Sequence, residues 1–113
     1  MYQFYSSVAP KPEDWPTLIG KAGDLLRQDY DWSKDIASIK SPTLVIAGDS
    51  DDTVTAHAVD LFRLLGGDVA GDFVGMPKSQ LALLPGTSHF TIMTRADLLL
   101  PIITPFLDAS TAK

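Results

Sequence analysis

The side chains best suited to chemistry sit in two short stretches. GDSDDT carries three carboxylates, Asp49, Asp51 and Asp52, and PGTSHF carries Ser88 and His89. A carboxylate beside an imidazole can make a general base: it accepts a hydrogen bond from Nδ1–H, fixes the tautomer and leaves Nε2 free to accept a proton. Any of the three aspartates could play that part, and each could instead cap the following turn or helix. Three neighbouring carboxylates also look like a hard-cation loop. Calcium loops, however, space their ligands regularly and end in Glu, a pattern that is missing here. His57 falls in the first turn of a predicted helix, where a surface role is the default. Two histidines and an aspartate can bind a metal in principle, but nothing in their spacing supports it. Neither a metal nor a cofactor is expected.

The elements that must position these residues follow from apolar periodicity and from Pro and Gly punctuation. In MYQFYSSVAPKPE, Pro10 and Pro12 deny helix continuity, and Tyr2, Phe4 and Tyr5 are expected to dock on something. A helix is predicted over Trp15–Arg27, capped by Asp14, with Trp15, Leu18, Ile19, Ala22, Leu25 and Leu26 as its apolar stripe. Residues 30–40 read as a connector with one helical turn capped by Ser33, its Ile36 and Ile39 facing inward. Ser41-Pro42 then favours extended chain. Thr43–Ala47 is β-branched and apolar without alternation, the pattern of a strand covered on both faces in a parallel sheet. A helix capped by Thr55 is predicted to run to about Leu65, with Ala58, Val59, Phe62 and Leu65 inside and Gly66-Gly67 as its stop. Residues 68–78 suggest an ordered loop with a helical turn, and Gln80–Leu84 a second strand. Thr94 and Asp97 suggest a capping box for a last helix. Pro101 should kink or divide that helix, and the tail beyond Asp108 should fray. The order is helix, strand, helix, strand, helix, with a right-handed parallel crossover expected between the strands.

SPTLVIAGDSDDTV and LALLPGTSHFTIM, in that order, resemble the C-terminal part of the α/β-hydrolase superfamily. The resemblance covers about 70 residues, through the final helix ending in PFLDA. It implies a partial α/β-hydrolase fold: short parallel strands with flanking helices over residues 41–113. Residues 1–40, with PEDWPTLIGKAGDLLRQDYDWSKDIASIK, look like the end of a cap region and its connector. In that family the first motif carries the acid of a catalytic triad and the second its histidine. These map to Asp51, three positions after Gly48, and to His89. The local physics agrees, because α/β sheets place functional groups in loops at the C-terminal ends of parallel strands.

The family's serine lies on G-x-S-x-G. The glycines here are at 20, 23, 48, 66, 67, 71, 75 and 86, and none bracket a serine at that spacing. Ser88 lacks the strand-to-helix elbow and is expected to hydrogen-bond within its turn. The resemblance therefore implies a serine-type hydrolase of an ester or other acyl substrate, inactive without a nucleophile from elsewhere. The competing expectation is a non-catalytic module that self-associates through its sheet. Trp15, Tyr30 and Trp32 could line a substrate-facing cap or serve packing alone.

Composition narrows the rest. Nine Lys and Arg against fourteen Asp and Glu give a formal charge of −5, and the basic residues are scattered singly. That disfavours nucleic acid and anionic membranes as partners. No apolar run approaches the ~20 residues of a membrane span, and no cationic-then-apolar leader opens the chain, so a cytoplasmic protein is expected. The absence of cysteine excludes disulfides and thiolate nucleophiles. Two five-residue parallel strands leave apolar faces and both edges uncovered. A missing N-terminal part, a partner subunit or a second copy in a homo-oligomer is expected to complete the sheet.

Overall fold

A computed structural model of the chain describes residues 1–109, so the expectation for the tail beyond Asp108 falls largely outside the described residues. The chain divides into two compact units, Met1–Asp31 and a second from Trp32 onward.

The first unit holds α1 (Tyr2–Val8), a 3-10 turn (Pro12–Asp14) and α2 (Trp15–Leu26). The sequence reading missed α1. It closes at Ala9, which is extended (φ −71°, ψ 136°) as the residue before a proline must be. The expected docking of its aromatic residues is met by Trp15: the Tyr2 and Tyr5 rings lie 5.6 and 5.2 Å from the indole, while Phe4 is exposed. Asp14 does not cap α2 through its side chain. Its backbone is drawn into the preceding turn, its N–H bonding to Lys11 O at 3.0 Å, so φ and ψ are not those of a capping residue. The predicted stripe of α2 is largely open to solvent, with Leu18, Ile19, Leu25 and Leu26 all exposed.

The second unit is a mixed α/β arrangement. It runs α3 (Ser33–Ala37), β1 (Leu44–Gly48), α4 (Thr55–Leu64), α5 (Gly71–Val74), β2 (Gln80–Leu84), a 3-10 turn (Thr91–Thr94) and α6 (Ala96–Asp108). Strands β1 and β2 pair in parallel, from Leu44 opposite Gln80 to Gly48 opposite Leu84. Helix α4 packs against both strands. It ends in a Schellman motif, with Gly67 N–H on Phe62 O at 2.9 Å and Gly66 N–H on Arg63 O at 3.0 Å. Ser79 Oγ, nearly buried, donates to Leu65 O at 3.0 Å and ties that helix end to the start of β2.

Several expected caps are displaced. Trp32 and Val54, one residue before Ser33 and Thr55, occupy the N-cap positions of α3 and α4. The Thr94–Asp97 capping box does not form. Thr94 Oγ1 instead closes the preceding turn by donating to Thr91 O at 2.7 Å, and Asp97 is held by Arg95. Pro101 does not divide α6, which runs through both Pro101 and Pro105. These prolines are four positions apart, on one exposed side of the helix.

The inner stripe of α4 is only half-buried apart from Ala58, and so are Leu99, Ile102, Ile103 and Phe106 on α6. Among the described residues, Ala58 and Leu84 are the buried apolar side chains. Large apolar side chains such as Phe73, Val74, Met76, Phe90, Met93, Leu100 and Leu107 are well exposed. Among the described residues, no helix is long and apolar enough to cross a membrane.

Candidate functional site

The best-buried part of the second unit lies at the C-terminal ends of the two strands. Gly48 and Leu84 are buried there, and Thr87 is fully inaccessible. The strands end side by side and their loops are cross-linked: Asp49 N–H donates to Leu84 O at 2.9 Å and Ser50 N–H to Thr87 O at 3.0 Å. Gly48 is required by the closeness of this approach. A Cβ built on it would stand 2.0 Å from Thr87 O, a distance no side chain can occupy.

On this platform Asp51 and His89, 38 positions apart, come together with His89 Nδ1 3.3 Å from Asp51 Oδ1. The same oxygen accepts Thr53 N–H at 3.1 Å. The carboxylate is sheltered, with 12% of its side chain exposed, whereas the imidazole is 61% exposed. An acid held beneath an accessible base suits proton transfer at Nε2. The Thr53 amide above all holds the Asp51 carboxyl below its ordinary value; partial desolvation opposes it, and the nearby imidazole adds to the lowering. Phe90 leans edge-on against the imidazole, with ring centroids 5.7 Å apart.

The other candidates are placed differently. Asp49 turns away from the imidazole: its Oδ2 accepts Gly86 N–H at 3.0 Å and its Oδ1 accepts Thr87 N–H at 3.3 Å. It does not cap its own loop or helix, the alternative considered from sequence. No local spacing could have revealed a bond spanning 37 positions. Asp52 is exposed, and so is His57 on α4. Ser88 is engaged in its turn as expected: its N–H donates to Thr91 Oγ1 at 2.8 Å, and Thr91 N–H returns a bond to Ser88 Oγ at 3.2 Å. Thr91 went unnoticed in the sequence, although S-x-x-T is the spacing of a reciprocal cap. Among the described residues, no group of three or more His, Asp or Glu is placed to hold a metal ion. A groove of about 690 Å³ lined by Phe62, Asp68, Val69, Met76 and Leu81 includes neither Asp51 nor His89.

No family model matches the chain, and no curated protein or solved structure matches it.

The site makes stability depend on acid. Asp49 is held below the ordinary carboxylate value of 3.8 by the Gly86 amide first, then the Thr87 amide and the Ser50 hydroxyl. A carboxylate so depressed contributes stability that is fully present above its unfolded-state value and is lost as pH falls through its folded value. Asp51 acts in the same sense. The thermal midpoint is therefore expected to fall below about pH 4, and Asp49→Asn should flatten that part of the curve. A midpoint with the same acid slope in both proteins would contradict the assignment.

Proposed function

We propose that this chain supplies the acid–histidine half of a serine-type hydrolytic site acting on an ester or other acyl substrate, Asp51 orienting His89. The serine and the donors for the developing oxyanion would come from outside these 113 residues. The observation that carries the reading is the 3.3 Å contact between Asp51 Oδ1 and His89 Nδ1 at the C-terminal ends of two parallel strands. The resemblance of SPTLVIAGDSDDTV and LALLPGTSHFTIM to the α/β-hydrolase superfamily supports it. In this mechanism Nε2 takes the serine proton during attack on the acyl carbon and returns it to the leaving group. Asp51 remains ionised and offsets the imidazolium charge. The test is an alkyl fluorophosphonate, which phosphonylates activated serines. In the natural assembly, a serine outside this sequence should be labelled with wild-type protein and not with His89→Gln. Equal labelling in both, or no labelling with wild type, would overturn the proposal.

A second reading, a non-catalytic module that self-associates through its sheet, is favoured by one observation. Among the described residues the sheet has two strands, so the outer edge of each carries no ladder partner. Light scattering over a range of concentrations tests it. A stable monomer of 12.2 kDa throughout would dismiss self-association.

A further inference from the structure

We infer that Asp49 is a positioning residue for the Asp51–His89 pair, its carboxylate stapling the turn that carries His89 to the loop that carries Asp51. The inference rests on the proposed acid–histidine role and adds a residue to it. Two bonds run from the histidine turn to the Asp49 carboxylate, from Gly86 N–H at 3.0 Å and Thr87 N–H at 3.3 Å. Two more run the other way along the backbone, from Asp49 N–H to Leu84 O and from Ser50 N–H to Thr87 O. The pairs 49–50 and 86–87 are thus fastened on both sides. Asp51 lies two residues beyond Asp49, and His89 two residues beyond Thr87. A slip of one loop against the other therefore reaches the pair with little slack between. The Ser88–Thr91 clasp fixes the far side of the histidine turn.

The chemistry calls for a carboxylate. Its two oxygens accept from two different amides, and Ser50 Oγ also donates to Oδ1 at 3.0 Å. An isosteric asparagine would turn an NH₂ donor toward one of those N–H groups and leave it without an acceptor. The Gly86 and Thr87 amides hold the Asp49 carboxyl below its ordinary value, which fits an ionised oxygen pair that works as acceptors only.

The experiment reads the His89 tautomer by long-range ¹H–¹⁵N correlation in ¹⁵N-labelled protein at about pH 8.5, where imidazoles are neutral, with His57 as internal reference. Wild type should show His89 mainly as Nδ1–H. Asp49→Asn should reduce that fraction by at least about half, while the amide signals of β1 and β2 stay in place. Asp49→Ser, which removes the carboxylate without placing an NH₂ donor against the amides, serves if the asparagine variant does not fold, and should likewise reduce the fraction. An unchanged tautomer in whichever variant folds overturns the inference, because a purely structural role would alter stability and not the proton position. Asp51→Ala separates the two ideas. If it shifts the tautomer and the Asp49 variants do not, only the staple falls. If Asp51→Ala leaves the tautomer unchanged, the pair itself is refuted and the staple with it.

Discussion

In an assembly that turns over an acyl ester, Asp51→Ala is expected to lower kcat by on the order of 10⁴ while leaving KM nearly unchanged. The variant removes the acceptor of the His89 Nδ1 proton and the charge that opposes the imidazolium formed during attack. Asp51→Asn tests whether orientation suffices without the charge. One oxygen, Oδ1, accepts both Thr53 N–H and the imidazole, and an asparagine oxygen can keep both contacts. The difference between the two variants would separate orientation from charge. Steady-state kinetics decides it: an alanine variant within about tenfold of wild type would leave Asp51 no place in the mechanism.

Gly48→Ala is expected to be the most damaging small substitution in the second unit. The added methyl carbon would stand 2.0 Å from Thr87 O and 2.6 Å from its carbonyl carbon. Both are backbone atoms of a fully buried residue, so no flexible side chain can swing aside. Relief requires the two loops to part, which breaks the Ser50 N–H to Thr87 O bond. Overpacking of this kind costs about 3 kcal/mol, or a fall of roughly 10–20 °C in Tm for a unit of this size. Thermal unfolding measures it, and a Tm within about 3 °C of wild type would show that the loops give way more readily than their contacts imply.

The strands were legible because their signals are local. The apolar run ending at Gly48 and the one ending at Leu84 are each bounded by Pro or Gly, and both strands fall within a residue of their expected limits. The Gly66-Gly67 stop was legible for the same reason. Helix α1 was not, because YQFYSSV has no helical stripe of its own and its tyrosines pack on Trp15, ten or more positions away. Cap residues were misplaced by one position at Ser33 and Thr55, and Thr94 was claimed by a competing turn. At the site, Asp51 and His89 could be paired through the family resemblance and the expected strand ends. The partner of Asp49 could not, since Gly86 and Thr87 offer only backbone amides, which leave no trace in residue type.

Thr87 and Leu84 are nearly shut off from water while most of α6 and all of α5 are not. Amide exchange with deuterium should therefore be slowest around the strand ends, at positions such as Asp49 and Ser50 whose N–H groups bond across the loops, and fast along the outer helices. Helices can fray on short timescales without loosening this knot, so the acid and the imidazole keep their alignment through excursions that expose much of the remaining chain.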